Sequence, residues 1–148
     1  MKRNHAIGLF MNIVCGFIIC LVMGLIVLHR VGAPMTLVTV MFTTIESFFV
    51  SYMVGDLVPS FTWGNKFAAA IGLKGVPAYF IAIAVHDLFM VTLISFLATF
   101  LVSGFTMKTI IGWWANYPVV LLCAYLVLLL IMKPLMKVAM KITKNITD

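Results

Sequence analysis

The sequence predicts an all-α polytopic membrane protein with four transmembrane helices, and three observations predict it. Of 148 residues, 64% are hydrophobic and 9% are charged, whereas a soluble domain carries about 25% charged residues. The mean hydropathy is +1.20. The apolar residues also fall into four runs, each close to the roughly 20 residues that cross a bilayer's hydrocarbon core. Nothing is left over for a soluble domain, so residues 1–148 read as a single transmembrane domain.

The first run, Ala6–Leu28, follows Lys2 and Arg3. It exceeds the 7–15 apolar residues of an ordinary signal-peptide core, roughly speaking, and no small-x-small cleavage site follows it. The expectation is a retained first helix. The second run, Met35–Val58, lies between Pro34 and Pro59, and proline suits a helix start or a position just beyond its end. The third, Val76–Val102, begins near Pro77 and stops before Ser103-Gly104. The fourth, Ile111–Met132, contains Pro118, expected to remove a backbone hydrogen bond and kink the helix, and ends before Pro134.

The connections have interfacial character. Trp63 and Phe67 beside Lys66 and Lys74 predict a short helix lying at the membrane surface. Trp113, Trp114 and Tyr117 form an aromatic belt at the other surface. Lys133, Lys137 and Lys141 recur every four residues as a basic amphipathic extension anchored to headgroups. Eight of the ten basic residues (Lys2, Arg3, Lys66, Lys74, Lys133, Lys137, Lys141, Lys144) lie on one side and only Arg30 and Lys108 on the other. The positive-inside rule then puts both termini in the cytoplasm, and the expected location is the cell membrane, a bacterial cytoplasmic membrane in particular. The net charge of +6 belongs to these anchors. No basic-aromatic platform or zinc spacing points to nucleic acid.

A shift of about 75 residues overlays Gly55-Asp56-Leu57-Val58-Pro59 on Leu130-Ile131-Met132-Lys133-Pro134, Asn12 on Asp87 and Lys66 on Lys141. Residues 1–75 and 76–148 would then be tandem helical hairpins of the parallel-repeat type. In Val58-Pro59 and Lys133-Pro134, each followed by basic residues, the chain resembles an uncharacterised family of small bacterial membrane proteins built from a two-helix hairpin unit. That resemblance implies a fold unit and no activity.

Three of the four acidic residues, Glu46, Asp56 and Asp87, lie inside the apolar runs. An acid in hydrocarbon costs about 2.5–3.5 kcal/mol on insertion scales, and intramembrane acids usually mark function. Glu46 is deepest. Burial favours the uncharged acid, so Glu46 is expected to hold a proton until a cation or water arrives. Asp87 lies a third of the way along its helix beside His86, and the two diverge by about 100°. Asp56, near the end of its helix, reads as an interfacial acid that caps or pairs with Lys66.

Polar and small residues recur every four positions. The first helix has Gly8, Asn12, Gly16, Cys20 and Gly24; the second has Thr39, Thr43, Ser47, Ser51 and Gly55; the third aligns Asp87, Ser95 and Thr99. Small residues let helices approach in lipid, and an Asn among them supplies an interhelical hydrogen bond. The economical arrangement turns these stripes inward, with Glu46 and Asp87 as proton- or cation-binding acids and Asn12, Thr43, Ser47 and His86 lining a pocket.

Other chemistries lack support. Cys15, Cys20 and Cys123 form no CxxC pair. The eleven methionines are scattered and read as gap fillers rather than a copper path. The histidines are not paired for haem. No Walker loop, GxSxG elbow or HExxH motif is present. The sequence therefore implies no enzyme, no cofactor and no metal. It points to a transporter or channel for a cation or a cationic or amphiphilic solute, with proton coupling through an intramembrane carboxylate. The rival is a non-transporting accessory, regulatory, immunity or stress protein whose buried acids are assembly contacts. Four helices enclose little volume, so the expected partners are the bilayer and either further copies of the chain or a partner membrane subunit. The small multidrug transporters also have four helices and a membrane glutamate, but theirs is in the first helix, where this chain has no acid.

Overall fold

The computed structural model describes residues 3–145, which are helical without any strand among them. The helices are α1 (Arg3–Arg30), α2 (Leu37–Leu57), α3 (Ser60–Ala70), α4 (Val76–Ser103) and α5 (Met107–Ile142), followed by a 3-10 turn, Thr143–Asn145. α1, α2, α4 and α5 are long and apolar enough to cross a membrane. They form a closed ring in the order α2, α1, α5, α4, and α3 lies along α4.

The ends of these helices follow from local chemistry. α1 closes with a Schellman motif: Gly32 N–H donates to the His29 carbonyl and Ala33 N–H to the Leu28 carbonyl. Gly32 takes the positive φ of 66° that this motif needs. α3 ends the same way at Gly72, with Gly72 and Leu73 donating to Ala69 and Ala68. α2 and α5 start on matching caps, where the Thr36 and Thr106 hydroxyls accept from the backbone N–H of Thr39 and Thr109 at 3.2 Å.

Pro118 and Pro134 behave differently from Pro59. The expectation that the fourth span stops before Pro134 is corrected: α5 runs through both Pro118 and Pro134 for 36 residues. Proline removes one helical hydrogen bond, but α5 beyond Pro134 is held by burial of Ala139, and the terminal turn packs against α1. At Pro59 the chain does turn. Val58 adopts φ −110° and ψ 107°, the extended conformation that a following proline imposes, and α3 starts from there.

Small residues set the α1–α2 contact. A Cβ on Gly16 would meet Ser51 Oγ at 3.4 Å, one on Gly24 would meet Thr43 Cγ2 at 3.5 Å, and one on Gly55 would meet Asn12 Oδ1 at 2.5 Å. Each pair steps up α1 as it steps down α2, so the two four-residue stripes mesh in one antiparallel register. α4 and α5 join through aromatic groups instead. Trp113 Nε1 donates to Ser95 Oγ at 3.0 Å, the Tyr117 and Thr92 hydroxyls share a hydrogen bond of 2.7 Å, and Phe96 meets Trp113 edge-on at 5.6 Å. α3 seats Ser60, Gly64 and Ala68, all buried, against α4. Gly64 lies directly on the Ala82 carbonyl. Lys66 and Phe67 remain exposed, while Trp63, also partly exposed, packs edge-on against Phe89 of α4 at 5.4 Å.

Two buried clusters fill the bundle: Cys15, Ile83, Leu128 and Met132 in one half, and Met23, Val91, Val120 and Ala124 in the other. The outer faces are apolar. Phe42, Phe49 and Met53 on α2 and Leu122, Leu126 and Leu130 on α5 are exposed, as helices standing in hydrocarbon require.

Candidate functional site

A cavity of about 350 Å³ lies within the bundle, in the half where α1 begins and α5 ends. All five helices reach it. Its walls are largely apolar, and its polar side chains are Asn12 from α1, Ser51 from α2, Ser60 and Thr62 from α3, and His86 and Asp87 from α4.

Asp87 is the centre of its chemistry. The residue is 1% exposed, and its Oδ1 is buried without a hydrogen-bond partner. A buried acceptor left unsatisfied costs about 1–3 kcal/mol, and more when charged. Such a carboxyl stores free energy that a cation or a hydrogen-bond donor entering the cavity would release.

His86 is half-buried one residue earlier. Its Nδ1 is 2.8 Å from Ser60 Oγ, with the donor set by the tautomer, and Phe61 packs edge-on against the ring at 5.7 Å. Both partners come from the first turn of α3. Successive side chains on a helix diverge by about 100°, yet the cavity is broad enough that His86 and Asp87 both border it. Asn12 borders it from α1, and its amide also rests on Gly55. Four of the eleven methionines (Met11, Met90, Met132 and Met136) also line it. Thioether side chains are flexible and polarizable, so a wall rich in them adapts to differently shaped apolar groups.

The structure thus brings together Asn12, His86 and Asp87 from the residues the sequence singled out. It separates the others from them. Glu46 is about 140° and about 180° round α2 from Ser51 and Gly55, the two α2 side-chain positions nearest the cavity's polar groups. It is half-buried between exposed Phe42, Phe49 and Met53. Thr43 packs on Gly24 in the other half of the bundle. Neither Thr43 nor Ser47 borders the cavity. The expected grouping of Glu46, Thr43 and Ser47 with Asp87 in one pocket is therefore corrected: none of the three borders the cavity, Thr43 serves the α1–α2 contact, and Glu46 lies beside that contact face. Asp56 is exposed on the last turn of α2. Ser60 was missed because its role depends on α3 packing antiparallel along the first turns of α4. The only local signal is its place directly after Pro59.

No group of three His, Cys, Asp or Glu side chains placed to hold a metal occurs among the described residues. Fold and cavity together define a multi-pass membrane protein, an all-helical bundle with an acidic, largely apolar recess between its helices. Scans against protein-family models, curated proteins and solved structures find no match to the chain.

Proposed function

We propose that the protein is a small integral membrane transporter or channel for a cation or a cationic, amphiphilic solute, with Asp87 as the binding acid. The observation that carries this reading is the Asp87 carboxyl, buried and with an unpartnered Oδ1 on the wall of a 350 Å³ cavity. That volume is in the usual range for small-molecule sites, roughly 300–1,000 Å³. An acid inside a membrane domain binds either a proton or a cation, and exchange between the two is the basic element of proton-coupled transport. The methionine-rich wall suits the apolar part of an amphiphilic cation, while Asn12 and His86 offer polar contacts beside the charge. The eight-to-two distribution of basic residues supports cytoplasmic termini. The cavity then lies toward the cytoplasmic side, and a bacterial cytoplasmic membrane is the proposed location.

The test uses purified protein in nanodiscs, with tetraphenylphosphonium as an amphiphilic cation probe. Calorimetry should show saturable binding accompanied by proton release. Asp87→Asn should abolish both while keeping the helical circular dichroism and monodispersity of the parent. Uptake into proteoliposomes driven by a pH gradient should be lost in the same variant. Unchanged binding and uptake in a folded Asp87→Asn protein would overturn the reading and favour the non-transporting alternative.

A further inference from the structure

Glu46 has no role in the cavity, and its surroundings give it no reason to be there. It is the tenth residue of the 21-residue α2, a helix about 30 Å long that matches the hydrocarbon core, so it stands near mid-depth. None of the side-chain hydrogen bonds among the described residues involves it. Its neighbours on the outer side of the helix are Phe42 and Phe49, with Met53 two turns on, and these are 70%, 65% and 64% exposed; Thr43 and Val50 flank it on the half-buried side. Lipid tails can neither donate to a carboxyl nor accept from one. The partner of Glu46 therefore lies outside the subunit.

The chemistry of the group identifies that partner. An uncharged carboxylic acid carries one donor and acceptor capacity besides, so it is complementary to a second carboxylic acid. The charge bias favours one topology for every copy. A two-fold axis along the membrane normal then brings each residue of α2 to the same depth as its counterpart, and such an interface is self-complementary. α2 is also the least buried of the four spans. The outer face of α5, by contrast, presents Leu122, Leu126 and Leu130 and nothing that needs a polar partner.

We infer that the outer face of α2 is the contact between two copies of this chain, with the two Glu46 carboxyls hydrogen-bonded to each other across the two-fold axis. Phe42 and Phe49, one turn to either side, shield the pair from lipid. This interface is distinct from the Asp87 cavity and does not depend on its function.

The experiment measures association in liposomes by energy transfer between labelled copies, together with disulfide cross-linking of Phe49→Cys and Met53→Cys in a background whose three native cysteines are replaced by alanine. The parent should dimerise, and one or both α2 cysteines should cross-link, while Leu126→Cys on α5 should not. Glu46→Leu should weaken association by about tenfold, the scale of an interhelical hydrogen bond in lipid. Glu46→Gln, which keeps a donor and an acceptor, should stay close to the parent. Tetraphenylphosphonium binding should persist in Glu46→Leu, which separates this outcome from any failure of the Asp87 reading. A monomeric parent, cross-linking through Leu126→Cys instead, or a dimer indifferent to Glu46→Leu would overturn the proposal.

Discussion

Asn12 rests on Gly55 so closely that a Cβ at position 55 would be 2.5 Å from the amide oxygen and 3.0 Å from Cγ and Nδ2. The contact joins α1 to α2 at the rim of the cavity, and it works only because α2 has no side chain there. The Asn12 amide is the end of a side chain on the cavity wall and can turn aside, so Gly55→Ala should destabilise the protein by only about 1 kcal/mol, the low end of overpacking, measured as loss of helical signal on thermal unfolding in detergent. Adding Asn12→Ala should recover much of that loss, because the obstructing amide is gone. A Gly55→Ala protein as stable as the parent would contradict the register given for these helices.

Asp87 should oppose stability while serving the site. Asp87→Leu replaces a buried acid with an unpartnered oxygen by an apolar group of similar size. Such exchanges are often stabilising by roughly 1–3 kcal/mol. A higher midpoint of thermal unfolding, together with loss of cation binding, is the expected pair of results. A lower midpoint would show that Asp87 is a structural tie.

Ser60→Ala leaves His86 Nδ1 without its partner at 2.8 Å. Removing one partner of a buried hydrogen bond costs about 1–3 kcal/mol. The imidazole should also lose its fixed orientation, seen as a changed histidine chemical shift in the NMR spectrum. An unaltered spectrum and unaltered stability would place the ring free of α3.

Gly64→Val should release α3 from α4. The added side chain falls on the Ala82 carbonyl, which belongs to the α4 backbone and cannot rotate aside. Hydrogen exchange of the α3 amides should quicken by at least the factor of ten that about 1.4 kcal/mol represents, while α1 and α2 keep their protection. Uniform loosening of the whole chain would point to a fold less modular than α3's attachment implies.

The four spans were legible because long apolar runs have one stable form in lipid. The short helix around Trp63 and Phe67 was legible from its mixture of aromatic and basic residues, but its packing lengthwise along α4, rather than flat at the surface, was not. Pro59 and Pro134 were not distinguishable by type. One follows a residue that takes the extended conformation. The other sits in a helix whose remaining turns are anchored by burial of Ala139. At the site, Asn12, His86 and Asp87 could be named because polar groups in apolar helices are few. Their assembly with Ser60 could not, since it requires α3 to leave the line of α2 at Pro59 and settle along α4. The four-residue stripe on α2 read as a pocket wall, whereas Thr43, Ser51 and Gly55 meet α1; period alone does not say what a face meets. Glu46, beside the stripe, was therefore drawn inward with it.

The bond between Ser60 and His86 ties occupancy of the cavity to the posture of α3. A solute that competes for His86 Nδ1 must break the hydroxyl contact at the first residue of α3. By thermodynamic reciprocity, whatever holds α3 down weakens that solute and whatever lifts it strengthens it, by the same factor. Lys66 is exposed on α3, where anionic headgroups would act on it. Under the proposed function, the lipid composition of one leaflet is then expected to shift the affinity of the site through a helix eleven residues long.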